Sequence, residues 1–449
     1  MRNALRGVAS SLAVALLVTA GACSTDKVLR INDPDVARPV DVTGKSALPV
    51  LLATAVGDFQ VAFSGTGGTT GYEGLVNLSG LLTDEFAFSE TFPTRVVVDR
   101  RNIDPVNSTM RDIFFNVQRA RASALRAANA YAEFSPDDSS RAEALSLEGY
   151  SYVLFAEVYC SGVPVSSFDA AGNVVPGLPL NTKQLLDTAI LRFTQARQIA
   201  SAAGSDYLEN LARVGQARAL VFQNTSNLAA AAALVANVPS DFTYRIFSSE
   251  NTDRQNNGIF EFNWNEGRWT QANNEGINGL PFRNGDPRTP FVDLDVGFDG
   301  RTALFGTLKY ADRNASVVLA SGLEARLIEA EAALAAGNSS LFLSTLNALR
   351  ATQTGLAPLT DPATAAGRVD LLFRERAFWL YLTSHRLGDL RRLARPTAQG
   401  GYGRGAESVF PTGTYRGRGG GVYGTDVNFP IPVEETNNPN FTGCLDRNP

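Results

Sequence analysis

Histidine occurs once in the 449 residues, at His385. A single histidine excludes a two-histidine metal site and any HExxH zinc motif. The chain also lacks a Gly-x-Ser-x-Gly nucleophile elbow and a Gly-x-x-x-x-Gly-Lys phosphate loop. Basic residues are in the minority, with 40 Lys and Arg against 45 Asp and Glu. That balance supplies no basic patch for a nucleic-acid partner. Beyond the N-terminus, no run is read as long and apolar enough to span a bilayer. Carboxylate pairs do occur, and a glycosidase needs only two. Glu324 and Glu331, seven apart on one helix, read as a solvated face; Asp84 and Glu85 are adjacent and point to different sides. His385 reads as part of a helix docked by ion pairs and bent near Gly388. No catalytic residue, metal ligand or cofactor is expected, and the chain is read as a non-enzyme.

Cysteine is scarce and odd in number: Cys23, Cys160 and Cys444. Arg2 and Arg6, the apolar run of residues 8–18 and the small residues "TAGA" have the order of an export signal over residues 1–22. Cys23 follows directly. The alternative is a secretory signal cleaved near Ala22. The stretch resembles a bacterial lipobox, in which the cysteine is lipidated and becomes the mature N-terminus. Ser24 in the next position fits outer-membrane sorting by the same resemblance. That leaves Cys160 and Cys444, which can pair in an oxidising compartment. A buried free thiol is the other reading of Cys160.

Helical periodicity runs through most of the chain. Leu323, Leu327, Ala330 and Leu334 recur at spacings of four, three and four, one face of a helix. Gly337-Asn338 stops it, and Phe342, Leu346 and Leu349 begin a second apolar face. Two further hairpins are predicted: "TMRDIFFNVQRARASALRAANAYAEF" with "SRAEALSLEGYSYVLFAEVYC", and "QLLDTAILRFTQARQIASAAG" with "SDYLENLARVGQARALVFQ". Paired amphipathic helices rich in alanine resemble tetratricopeptide units. The pattern lapses over about 239–314 and again over about 396–449, where "GGYGRG" and "YRGRGGGVYG" have loop composition.

Several ordered stretches resemble the SusD/RagB family of outer-membrane nutrient-binding lipoproteins: "LRINDPD" (29–35), "LLTDEF" (81–86), "LEGYSYVLFAEVYCSGVPVS", "NGDPRTPF", "LKYADRN", "EARLIEAEAAL", "TLNALR", "RERAFWLYLTSHRLGDLRRL" and "NFPIPVEETNNPN". Their shared order covers nearly the whole of residues 23–449. Thr383 departs from the pattern, standing where an acidic residue is common. The resemblance implies a mostly α fold, with tetratricopeptide-like helical hairpins as scaffold and long irregular loops carrying the ligand site. It also implies a partner, a TonB-dependent transporter barrel of the SusC type, which the lipoprotein would cap while delivering an oligosaccharide or similar nutrient. Peptide import and a protein-interaction scaffold are the other readings.

A sugar ring presents an apolar C–H face and a hydroxyl rim, so its site wants an exposed aromatic among amides and charges. "FNWNEGRW" offers Trp264 and Trp269 interleaved with Asn263, Asn265 and Arg268. Phe88, Phe92 and Arg95 follow the "TDEF" motif. These eight residues are the expected ligand site, with at least one tryptophan exposed.

Overall fold

The structure, a computed structural model, describes residues 44–68, 71–169 and 173–449. The leader 1–22, Cys23 and the stretch 29–35 lie outside the described residues. The chain divides into an N-terminal unit, Met1–Ala47, and a body, Leu48–Pro449. Of the first unit only its last residues are described, and Lys45–Ala47 form a single 3-10 turn.

The body is mostly α. Helix α1 (Leu48–Ser64) is followed by α2 (Leu75–Leu82), α3 (Pro93–Asp99), α4 (Ser108–Phe134) and α5 (Ser139–Val158). Then come α6 (Thr182–Ala202), α7 (Asp206–Gln223) and α8 (Leu228–Val235). The last four are α9 (Gly322–Ala335), α10 (Ser339–Ala351), α11 (Ala365–Trp379) and α12 (Arg386–Ala394). Each long helix packs on the next: α1 on α4, α4 on α5, and onward through α10. The three expected hairpins are α4–α5, α6–α7 and α9–α10.

Local chemistry sets the hairpin corners. Asn107 Oδ1 accepts from the backbone N–H of Thr109 (2.9 Å) and Met110 (3.2 Å) and starts α4. Asn181 and Gln184 close a reciprocal capping box at the start of α6. Ser205, Ser321 and Asn338 cap α7, α9 and α10 by accepting from one backbone N–H each. Such caps each contribute about 1 kcal/mol by satisfying orphan donors. Small residues then let the helices close up. A Cβ at Gly149 of α5 would lie 2.9 Å from the Phe193 ring, and one at Gly215 of α7 only 2.4 Å away. Phe193 of α6 is therefore clasped by two glycines, edge-on to Tyr150 at 5.0 Å.

Helix α1 with the turn before it, Lys45–Ser64, is long and apolar enough by composition to cross a membrane. This corrects the expectation that no run beyond the N-terminus has that length and composition. Over half of that window is buried inside the fold, and Asp58 of α1 accepts from Ser123 of α4 at 2.5 Å, as befits a core helix.

Strands interrupt the stretch expected to be irregular. Among the described residues every sheet is two-stranded. β1 (Phe86–Phe88) pairs with β7 (Trp269–Gln271), reached after β2 to β5 (Val163–Pro164, Ser167–Phe168, Val174–Val175, Pro179–Leu180) and β6 (Thr243–Ile246). β8 (Phe291–Val296) and β9 (Ala303–Thr307) form a hairpin, and β10 (Val317–Ser321) pairs with β6.

The charged motifs are interior, which corrects three readings. Glu324 and Glu331 are buried rather than solvated. Glu324 lies 3.1 Å from His385 Nε2, and Glu331 pairs with Arg392. Burial alone would raise the Glu324 carboxyl, but His385, Arg218 and Arg376 outweigh it and hold it below the usual range. Asp84 and Glu85 each meet a partner far away in sequence. Asp84 takes both prongs of Arg386 at 2.7 and 2.8 Å. Glu85 Oε1 accepts from Leu382 N at 2.7 Å, and Tyr381 Oη donates to the Glu85 carbonyl at 2.9 Å. The terminal helix breaks between Trp379 and Arg386 rather than bending at Gly388. Leu382 (φ 50°) and Ser384 (φ 61°) adopt the left-handed conformation there. Those contacts with Glu85 hold a backbone that costs roughly 1–3 kcal/mol per such residue.

Cys160 and Cys444 form a disulfide with Cα atoms 5.9 Å apart. It ties the end of α5 to the C-terminal segment, beside the bridges Tyr159–Phe429 and Ser161–Asp446.

Candidate functional site

Two stretches about 180 residues apart are brought edge to edge by the β1–β7 ladder, in which Phe88 faces Trp269 and Phe86 faces Gln271. The pairing continues past the strand, where Ser89 N donates to Arg268 O at 3.0 Å and Ser89 Oγ to Gly267 O at 2.9 Å. The turn of the β8–β9 hairpin docks on the same spot. Phe298 N donates to Gly267 O at 2.9 Å, and Asp299 N to Ser89 O at 3.0 Å. This approach requires glycine at 297, since a Cβ there would lie 2.6 Å from Ser89 Cβ.

Three loops thus meet, and their tips carry exposed rings. Phe92 is 48% and Phe298 56% exposed. Arg268 lies between them, its Cζ 5.6 Å from the Phe92 centroid and 5.1 Å from that of Phe298. Arg95 stands 5.0 Å from the Phe92 centroid. The two guanidiniums share Glu90, Arg95 at 2.8 Å and Arg268 at 2.5 Å. Arg95 also pairs with Glu73, and Arg268 with Glu266. Burial pushes the Glu90 carboxyl up to about 7 even against the Arg268 charge. Burial also pushes Arg95 down to about 10. Three carboxylates therefore match two guanidiniums, and the patch offers ring faces and hydrogen-bonding groups without excess positive charge.

The eight expected residues separate. Phe92, Arg95 and Arg268 come together in the patch. Trp269, Phe88 and Asn263 are buried and belong to the core. The Trp269 ring packs edge-on to Phe86 at 6.0 Å and against Phe262, in a strand whose three residues are all buried. Arg268 precedes that strand and emerges; Trp269 opens it and turns in. The Asn263 amide is spent on backbone, donating to Trp269 O (2.6 Å) and Phe305 O (3.0 Å) and accepting from Thr307 N (2.8 Å). Trp264 is half-buried on β9, its Nε1 donating to Thr307 O at 2.8 Å, so neither tryptophan is fully exposed. Asn265 is exposed but its amide donates to Glu261 at 2.8 Å. Phe298, Glu90, Glu73 and Glu266 were not anticipated. Phe298 precedes an Asp-Gly turn between two alternating strands, a detectable signal for an aromatic at a hairpin tip. Among the described residues no cluster of three or more His, Cys, Asp or Glu could hold a metal ion.

No protein-family model and no curated protein sequence matches the chain. Solved structures do. A SusD-like protein from Bacteroides fragilis aligns with TM-score 0.64 at 12% identity, covering 91% of this chain and 98% of its own. A SusD superfamily protein from Bacteroides vulgatus aligns with TM-score 0.62 at 15% identity, covering 89% and 98%. Surface glycan-binding protein A from Bacteroides uniformis aligns with TM-score 0.60 at 14% identity, covering 89% and 99%. At such identities the likeness establishes the shared architecture: this chain has the SusD fold.

Proposed function

We propose that this protein is a SusD/RagB-type lipoprotein that binds a saccharide at the cell surface without transforming it. The observation that carries this reading is the pair of exposed rings, Phe92 and Phe298, bridged by Arg268 and ringed by ion-paired carboxylates. Flat apolar rings suit the C–H faces of pyranoses, and the Arg268 guanidinium between them is placed to donate to hydroxyls. The fold's likeness to a protein described as surface glycan-binding supports the ligand class. Cys23 would carry the anchor at the outer membrane, and a TonB-dependent barrel of the SusC type would receive the ligand. More than one acyl chain is needed for stable anchoring.

Glycan-array screening followed by calorimetry tests the ligand. Saccharide binding weakened in Phe92→Ala and Phe298→Ala supports the reading; a parent protein that binds peptides and no glycan overturns it. The anchor is tested separately. Cys23→Ser should move the protein from membrane to soluble fractions, and unchanged fractionation refutes lipidation.

A further inference from the structure

A cleft of about 530 Å³ opens where the start of α6, the end of α7 and residues 446–449 meet. It shares no residue with the aromatic patch. Arg391 and Arg395 line it, and among the described residues neither pairs with an Asp or Glu side chain. Arg391 Nη1 donates to the carbonyls of Ala156 and Glu157 at 2.8 Å and of Tyr159 at 3.2 Å. Arg395 Nη1 donates to Phe222 O at 2.7 Å and its Nε to Pro449 O at 3.3 Å. These bonds close the C-terminal ends of α5 and α7, whose partial negative charge offsets part of the guanidinium charge.

The remainder is unused. Arg391 is only 2% exposed, and among the described residues its Nε has no acceptor and neither Nη2 is given one. Both guanidiniums lie over one ring, Phe222, at 5.5 and 4.8 Å. Burial, then the neighbouring Arg395 charge, pushes Arg391 down to about 9. Burial, then Arg392, pushes Arg395 down to about 10. The rim adds more donors. Asn181 Oδ1 is committed to Gln184 N and Asn224 Oδ1 to Ser226 N, so their amide nitrogens are left to donate. The N-terminus of α6, a 21-residue helix, opens on the same space. Lys183 lines the cleft but is paired with Asp187 at 2.8 Å. Asp446 is the acidic side chain among the lining residues, and its carboxylate accepts from Asn448 N.

We propose that this cleft is a second ligand site, built for a carboxylate or phosphate group on a small polar body. The Nη2 groups of Arg391 and Arg395 take its oxygens, and the amides of Asn181 and Asn224 close over it. A guanidinium fork matches two oxygens of such an anion, and bonds of this charge-assisted kind are the strong ones. The proposal does not depend on the saccharide reading of the aromatic patch.

The test titrates the full-length protein by calorimetry with glucuronate, inorganic phosphate and glucose, at ionic strength matched with chloride. Glucuronate or phosphate should bind, more weakly as salt is raised, and glucose should not bind here. Binding of one anion and not the other identifies the carboxylate or the phosphate as the group read. Arg395→Gln should weaken binding roughly tenfold or more, the loss of a charged hydrogen bond. Asn224→Asp keeps the Ser226 cap while adding a negative charge, and should weaken it comparably; it decides the matter if Arg395→Gln fails to fold. No binding beyond chloride overturns the proposal, as do unchanged affinities in folded variants or glucose binding at this cleft as strong as that of the anions.

Discussion

At the scale of residues, the contrast between Trp269 and Phe298 makes the site testable. Trp269→Ala removes a buried ring and should cost about 3–5 kcal/mol of stability by chemical denaturation. Phe92→Ala and Phe298→Ala remove exposed rings. They should leave the denaturation midpoint almost unchanged while each weakens saccharide binding by roughly tenfold, since a ring contact contributes about 1 kcal/mol or somewhat more. A second residue-scale prediction concerns Asp99. Burial pushes its carboxyl up to about 8, with Glu275 adding to the rise, although it accepts from Tyr415 Oη at 2.7 Å. A raised carboxyl means the folded state holds its proton longer. The stability it contributes is full below the ordinary Asp range, about 4, and is lost as pH rises towards 8. Asp99→Asn should therefore flatten the fall in stability across that window, seen in urea midpoints at pH 5 and pH 8. Equal slopes in parent and variant would refute it. The tryptophans were misread because asparagines beside an aromatic look the same whether their amides face water or backbone. In "FNWN" the Asn263 amide is consumed by backbone groups of Trp269, Phe305 and Thr307.

Among elements, the helical hairpins were legible because their information is local: a cap such as Asn181-Gln184, an apolar stripe, and a stop such as Gly337-Asn338. The β1–β7 ladder was not legible, because nothing near Phe86 names a partner at Gln271. The break before α12 was missed for a similar reason. Leu382 and Ser384 have no intrinsic preference for positive φ, and it is Glu85, far away in sequence, that takes the Leu382 N–H. The "TDEF" corner and the start of α12 are thus one unit. Removing one partner of the buried pair Asp84–Arg386 should cost about 3–5 kcal/mol, because it strands a charge in the interior. The double variant Asp84→Asn/Arg386→Met should lose much less than the sum of the two singles. Additive losses in a double-mutant cycle would show the pair to be uncoupled.

For the whole molecule, the long-range link with the clearest consequence is Cys160–Cys444, separated by 284 residues. In the chain-entropy account a loop of this length stabilises the fold by up to about 5 kcal/mol. Cys160→Ala/Cys444→Ala should melt several degrees lower than the oxidised parent. In hydrogen exchange the first segment to lose protection should be the tail around Asp446, which beyond the disulfide meets the scaffold at the Ser161–Asp446 bridge. Uniform loss of protection across the helices would instead mean that tail and scaffold unfold together. The scaffold was readable as a class from helical period alone. The tail's path was not, since a loop composition such as that of residues 413–424 carries no pairing code. Its fixed points are long-range, as where Tyr415 reaches Asp99.

The same bond imposes an order of events in time. A chain is made from its N-terminus onward, so Cys160 exists as a thiol for the whole interval before Cys444 follows it. Cys23 is made earlier still and lies nearer to Cys160 in sequence than Cys444 does. A thiol at position 23 would therefore have first claim on Cys160. With that sulfur blocked by a lipid, as proposed, Cys160 finds its partner only once residue 444 has been made.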